Sequence, residues 1–379
     1  MKIPREYLDL EAYLKPNKAL LILGPRQSGK TTLLNDFLEK TKLKFKLDSG
    51  DNIRTQEILS SQDFDKVLEY ARGYELIAVD EAQRIRNIGL GLKNLIDHIP
   101  GIHVIATGSS SFELSGQVGE PLTGRKITLA LYPIAQMELA RLFNTFELKA
   151  RLEEFLVFGS YPEVVTADDR NEKRRLLNEL VDSYLLRDIL QLERVKSAKV
   201  LLDLLRLLAF QVGREVSWSE LGSRLGIDTK TVARYLDLFE KGFVIYNLRG
   251  FSRNLRKEIS KKSKYYFLDN GVRNAVISNF NPLELRDDGG MLWENFLITE
   301  RLKKQAYRGP HANNYFWRTW DQKEVDFIEE REGRLFGYEF KWGSRKTPAP
   351  REWLETYAGS EFTVINRENY LDFVNNLSR

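Results

Sequence analysis

The sequence predicts an α/β fold in which a parallel sheet is wound with helices and extended by a helical subdomain, then a winged helix-turn-helix, then a small α/β domain. Three observations carry this. Short apolar runs alternate with helix-period segments from residue 19 to about 135, the order that builds a parallel sheet flanked by helices. A helix, a glycine-containing turn, a second helix and a strand follow each other over residues 218–248. Beyond residue 263 strands and helices recur in mixed order.

In chain order, Leu20–Leu23, Glu75–Val79, His103–Thr107 and Ile127–Leu131 read as buried strands. From Ile134 to about Val195 the pattern is almost wholly helical, broken by the turn Phe158-Gly159-Ser160-Tyr161-Pro162, so residues 1–195 read as one domain whose sheet ends near 135. Leu201–Val212 is an apolar-periodic helix. Trp218–Glu240 reads as helix, turn, helix, with Asp228 a natural N-cap for the second helix. Gly242–Leu248 then opens a wing, and residues 196–262 form the winged unit. Residues 263–379 hold a strand at Lys264–Leu268, a long helix at Met291–Gln305, strands at Asn314–Arg318, Glu324–Glu329 and Leu335–Trp342, then a helix and a last strand at Phe362–Ile365.

Composition removes several classes of function. With 379 residues and 42% hydrophobic content the chain has enough sequence for two to four cored domains and is not disordered. It has no cysteine, which excludes disulfides, thiolate nucleophiles and cysteine zinc sites, and its three histidines make a histidine-rich metal site unexpected. The net charge is +4, from 58 basic against 54 acidic residues, so affinity for nucleic acid must come from local patches. No apolar run approaches the length of a membrane span and the first residues lack an apolar signal core. A cytoplasmic protein without a membrane partner is expected.

The chemistry begins at Gly24-Pro25-Arg26-Gln27-Ser28-Gly29-Lys30-Thr31-Thr32, directly after the apolar run Ala19–Leu23. This is the complete pattern G-x-x-x-x-G-K-[ST]. Its glycines let backbone N–H groups curl around phosphates, its lysine reaches the β/γ oxygens and its hydroxyl, here Thr31, ligates Mg²⁺. Apolar residues at helical spacing follow, so the loop ends at a helix N-terminus, which favours an anion. ATP with Mg²⁺ is the expected ligand, on the sheet of a P-loop NTPase.

About fifty residues later an apolar strand ends in Asp80-Glu81. Asp80 is placed to hold Mg²⁺ through water and Glu81 to orient and deprotonate the attacking water. Ser109, after the strand Val104–Thr107, is the candidate polar sensor between these acids and the γ-phosphate. Arg125 is the candidate for stabilising charge on the transferred phosphoryl group, in its own subunit or in a neighbour's, which leaves a homo-oligomer open.

In the last domain, Asp326 sits in Glu324-Val325-Asp326-Phe327 and the next strand reads Gly337-Tyr338-Glu339-Phe340-Lys341. Period-two alternation puts Glu339 and Lys341 on one face. Two carboxylates on adjacent strands can share Mg²⁺ beside a lysine that stabilises a hydroxide or a pentavalent phosphate, the arrangement of PD-(D/E)xK nucleases. A working nuclease, a binding platform and a structural ion pair all fit these residues. For DNA, Lys230, Thr231, Arg234 and Tyr235 on the second helix of the winged unit would face a groove, and Arg253, Arg256 and Lys257 in the wing would neutralise phosphates.

Taken together, Gly24–Thr32, Val79-Asp80-Glu81-Ala82-Gln83, Thr107-Gly108-Ser109-Ser110, Leu122-Thr123-Gly124-Arg125, Tyr184-Leu185-Leu186-Arg187-Asp188 and Glu324-Val325-Asp326-Phe327 resemble the prokaryotic AAA-type ATPases that carry a C-terminal domain of unknown function. The resemblance spans nearly the whole chain. It implies a P-loop ATPase core, a winged helix, and a C-terminal domain similar to the restriction-endonuclease fold, with Glu294 as a further metal ligand. Ala82 departs from the isoleucine of many members. The expected function is a Mg²⁺-dependent ATPase acting on or with DNA, hydrolysis moving the winged helix and a nuclease-like domain that cleaves phosphodiesters. The alternative is a slow-turnover ATP-gated switch or DNA-binding regulator without nuclease activity.

Overall fold

The computed structural model describes residues 2–7, 9–109, 121–185, 197–251, 263–309, 311–319, 323–343 and 348–375. Ser110, the segment Leu186-Arg187-Asp188, and Arg253, Arg256 and Lys257, which the sequence led us to expect in a wing, lie outside these described residues.

Strands β1 (Ala19–Leu23), β2 (Phe45–Ser49), β3 (Leu76–Asp80), β4 (His103–Gly108) and β5 (Lys126–Ala130) form a wholly parallel sheet in the order β2-β3-β4-β1-β5. β1 is buried throughout because helices cover both faces. On one face Leu21, Ile77 and Val104 pack with the helices Phe64–Ala71 and Ile88–His98. On the other, Leu20, Ile22 and Ile105 pack with the helix Lys30–Leu38. Burial of each Leu or Ile side chain contributes about 1.5–3 kcal/mol. The four expected strands are present; β2 was not legible, because its sequence Phe-Lys-Leu-Asp-Ser belongs to a partly exposed edge strand and lacks an apolar run.

A second sheet has six strands in the order β11-β10-β9-β8-β6-β7. Its members are β6 (Ile245–Gly250), β7 (Ser263–Phe267), β8 (Asn313–Arg318), β9 (Glu324–Arg331), β10 (Arg334–Phe340) and β11 (Glu361–Ile365). The hairpin β6/β7 therefore joins the C-terminal sheet, through parallel pairing of Arg249 with Tyr315 and Gly250 with Phe316. One sheet crosses the division expected at residue 262. One apolar core likewise runs from Ile134 to Val374, taking in the helices after β5, the helix Ala198–Phe210 and the buried side of the second sheet. The long helix Gly289–Arg308 lies on this core, and its Tyr307 reaches the core of the first sheet.

Candidate functional site

The phosphate loop leaves the C-terminal end of β1. At Gly24 an added Cβ would lie 2.1 Å from the carbonyl oxygen of Leu131, so only glycine lets the loop pass β5. Gly29 has φ +93°, a left-handed conformation that glycine adopts freely, and it caps the helix Lys30–Leu38. Lys30 is 4% exposed, and its Nζ donates to the carbonyls of Gly24 at 3.0 Å and Pro25 at 2.7 Å. A buried ammonium requires such partners.

Strand order sets the rest of the site. β4 lies between β1 and β3, so the end of β4 stands between the loop and the acids that close β3. Thr31 Oγ1 donates to Asp80 Oδ2 at 2.9 Å. Thr107 Oγ1 donates to Asp80 Oδ1 and accepts the backbone N–H of Glu81 at 3.1 Å. Two hydroxyls thus fix one carboxylate. Glu81 has φ +50°, which for a non-glycine residue costs on the order of 1 kcal/mol or more. Gln83 Nε2 donates to its carboxylate at 2.5 Å.

Two sequence expectations can be placed here. The hydroxyl beside Asp80 belongs to Thr107, two residues before Ser109; Ser109 is 1% exposed. Strand register explains the contact: Val79 pairs with Ala106, so Asp80 lies beside Thr107, whereas Ser109 follows the last residue of β4. Arg125 is the second, and the reading within its own subunit is corrected. Its carbonyl accepts the N–H of Ala19 at 2.9 Å, which places it at the N-terminal edge of the parallel sheet, where its Nε pairs with Asp97 Oδ1 at 2.7 Å. The loop leaves the opposite edge, about 16 Å away over a five-residue strand. Arg125 cannot reach a phosphate bound in its own chain.

A cavity of about 690 Å³ lies between Leu152, Leu283 and Trp342, and another of about 730 Å³ opens beside Gly29. The cavity beside Gly29 lies between Ile3 and Pro4, Thr32 and Leu33 of the loop's helix, and Leu142 and Pro162 of the helical segment. Behind the loop stands Arg5, a residue with no sequence signal, hydrogen-bonded to the carbonyl of Ser28.

In the second sheet the register pairs Tyr338 with Phe327, which brings Glu339 to Asp326. Asp326 Oδ2 accepts the N–H of Phe340 at 2.7 Å. Burial, with the Glu294 and Glu339 carboxylates beside it, pushes the Asp326 carboxyl well up. Burial likewise raises that of Glu294, which the Lys264 ammonium opposes only in part; Tyr266 donates to Glu294 at 2.6 Å. Lys341 Nζ is 2.6 Å from Glu339 Oε1, while Glu339 Oε2 is buried without a hydrogen-bond partner. The donors are hard oxygens suited to Mg²⁺. Among the described residues, however, no three Asp, Glu or His side chains close round one point in a way that could hold a metal ion.

On the helix Thr229–Lys241, Lys230 and Arg234 are exposed. Tyr235 is a further correction. It is 2% exposed and packs in the core, because it falls on the helix face that carries Val232, Leu236 and Phe239. Thr231 is taken up by the helix N-terminus, its N–H and hydroxyl both donating to the capping Asp228, at 2.9 and 2.7 Å.

A wholly parallel sheet, a glycine-bounded loop carrying Lys30 and Thr31, and an acid pair two strands away define a P-loop ATPase domain. Residues 16–140 match the family described as AAA domain, so the chain carries an AAA-type domain that binds and hydrolyses ATP. Residues 149–283 and 289–369 match two domains of unknown function, DUF8612 and DUF4143. The chain is 27% identical over 343 residues to the uncharacterized protein MJ1544 of Methanocaldococcus jannaschii, covering 84% of this chain and 74% of that protein. It is 27% identical over 325 residues to the uncharacterized protein Rv2008c of Mycobacterium tuberculosis, covering 85% and 70%. Among solved structures it is similar to the Walker-type ATPase PABY2304 of Pyrococcus abyssi, with 18% identity, a TM-score of 0.45, and coverage of 68% of this chain and 91% of that one. No helix among the described residues is long and apolar enough to cross a membrane.

Proposed function

We propose that this chain is a Mg²⁺-dependent ATPase that acts on or with DNA, its hydrolysis moving a winged helix and a nuclease-like C-terminal domain. The observation that carries the Mg²⁺ reading is the 2.9 Å contact of Thr31 with Asp80, two hard oxygen donors facing each other at the mouth of the loop. Held by these two side chains, the ion would neutralise charge on the β and γ oxygens. The loop amides and Lys30 bind the phosphates, and the cavity beside Gly29 takes the nucleoside. Glu81 orients a water and accepts its proton as the water oxygen bonds to the γ-phosphorus and the bridging bond to ADP breaks.

For DNA, support comes from exposed Lys230 and Arg234 on the helix Thr229–Lys241 and from the basic sequence of the expected wing. For phosphodiester cleavage, it comes from the meeting of Asp326, Glu339 and Lys341 on adjacent strands, with Glu294 nearby. A metal at Glu339 must compete with the Lys341 ammonium. The slow-turnover switch is favoured by one observation, the position of Arg125 at the far edge of the sheet, which leaves the expected arginine out of reach of the chain's own phosphates.

The experiment is ATP turnover by the full chain with Mg²⁺ or EDTA, with and without DNA. Mg²⁺-dependent turnover that rises with DNA and is lost in Glu81→Gln supports the DNA-linked ATPase. Tight binding with negligible turnover supports the switch. DNA cleavage that survives Asp326→Ala excludes the proposed nuclease site.

A further inference from the structure

The segment before β1 enters the site through one side chain. Arg5 is 8% exposed, and its guanidinium meets three parts of the chain at once. Nη1 donates to the carbonyl of Ser28 in the phosphate loop. Nη2 donates to the carbonyl of Tyr132, just after β5, at 2.6 Å and to the hydroxyl of Tyr307 at 3.3 Å. Nε donates to Glu138 at 3.0 Å, and this buried carboxylate also accepts the N–H of Glu6 at 2.7 Å and of Ala135 at 2.8 Å. The segment is clamped from outside as well, Glu6 pairing with Arg141 and with Arg308.

The contact with Ser28 bears on phosphate binding. The carbonyl of Ser28 and the N–H of Gly29 belong to one planar trans peptide, so they point in opposite directions. A guanidinium holding the oxygen from behind fixes that N–H facing away from Arg5, on the side where the loop curls. Its positive charge also polarises the peptide toward a stronger donor. An added Cβ at Gly29 would lie 3.3 Å from Arg5 Nη1, which shows how closely the guanidinium backs the loop.

Tyr307 connects this hold to the rest of the molecule. It lies on the last turns of the helix Gly289–Arg308, its ring packs edge-on to Tyr7 at 5.2 Å, and its hydroxyl accepts both Arg5 and the N–H of Tyr132 at 3.0 Å. The same helix carries Glu294, about 20 Å away at 1.5 Å rise per residue. At its middle, Glu300 accepts the N–H of Gln136 at 2.6 Å and Lys303 donates to the carbonyl of Ile134 at 3.1 Å. The helix is thus fastened along the chain that leaves the first sheet.

We propose that Arg5 is a positioning residue of the ATPase site, setting the Ser28–Gly29 peptide for phosphate, and that Tyr307 makes this setting depend on the placement of the long helix. Nucleotide occupancy and helix position are then linked, and by reciprocity each biases the other. The inference rests on ATP binding at the loop and is independent of any DNA or nuclease role.

The test uses the full chain. Arg5→Lys keeps a cation for Glu138 but cannot span the oxygens of Ser28, Tyr132 and Tyr307 together. Tyr307→Phe removes only the hydroxyl and keeps the ring. Arg5→Lys is expected to raise the Kd and KM for Mg·ATP roughly tenfold or more, and Tyr307→Phe about threefold, with kcat changing far less. Mg·ATP is expected to slow amide exchange over residues 300–308 in the parent, and less in Tyr307→Phe. A folded Arg5→Lys that binds Mg·ATP like the parent overturns the proposal, as does exchange over 300–308 that ATP leaves unchanged. If Arg5→Lys does not fold, Tyr307→Phe decides: parental affinity with parental exchange overturns it. A parent that fails to bind Mg·ATP removes the ATPase reading first.

Discussion

Thr31 and Asp80 come from opposite sides of β4, yet their side chains meet at 2.9 Å. The sheet order creates the contact: β1 delivers the hydroxyl, β3 the carboxylate, and neither strand pairs with the other. Asp80→Asn keeps the shape and removes the charge that a divalent ion needs. It should lower ATP turnover by on the order of 100-fold while the thermal midpoint stays within a few degrees, measured by phosphate release and by melting. Parental turnover in Asp80→Asn would place the metal elsewhere.

Thr107 and Ser109 separate two accounts of the polar group beside the acids. Thr107→Val leaves both Asp80 Oδ1 and the N–H of Glu81 without a buried partner, which costs about 1–3 kcal/mol of stability. Turnover should fall roughly tenfold or more as Glu81 loses its placement. Ser109→Ala should stay within about threefold of the parent. The reverse ranking of the two variants in a steady-state assay restores the sequence-based assignment.

Arg125→Ala tests the geometric argument about the sheet edges. Its pair with Asp97 is partly exposed, so its loss costs no more than about 1 kcal/mol. At low protein concentration, where chains act singly, turnover should remain within about twofold of the parent. A loss of 100-fold or so there would mean that Arg125 reaches its own chain's phosphates.

Lys304 gives the fold a pH signature. Its Nζ donates to the carbonyl of Phe373 at 3.0 Å, and burial, with Arg301 nearby, pushes its pKa down to about 7. An unfolded lysine keeps its proton to about pH 10.4. Between these values the unfolded chain binds more protons than the native one, so this group makes stability rise with pH from about 7 toward 10. Below pH 7 its contribution is constant. Urea unfolding of Lys304→Met beside the parent should show a difference that shrinks as pH rises across the window; a pH-independent difference contradicts the assignment.

The sequence was most legible where local chemistry is strict. Gly24, Gly29, Lys30 and a hydroxyl side chain at Thr31 are required at that spacing, and a buried strand before them leaves a continuous apolar run. Asp228 was readable as a cap because the second helix needs an acceptor for the N–H of Thr231. What depends on pairing between distant segments was not readable. The contact of Thr107 with Asp80, and the distance of Arg125 from the loop, both follow from strand register and order. Arg5 gives no local signal, since its partners lie at residues 28, 132, 138 and 307. Tyr235 looked like a groove residue for the same reason: helical spacing shows which residues share a face, but only packing shows which face is inside.

Titration of the full chain with Mg·ATP, beside Lys30→Ala, tests the central claim most directly. The account predicts saturable binding by the parent and a loss of roughly 100-fold or more in the variant, since the buried ammonium is the loop's own charge for the phosphates. Equal binding by the two proteins, or none by the parent, would contradict it.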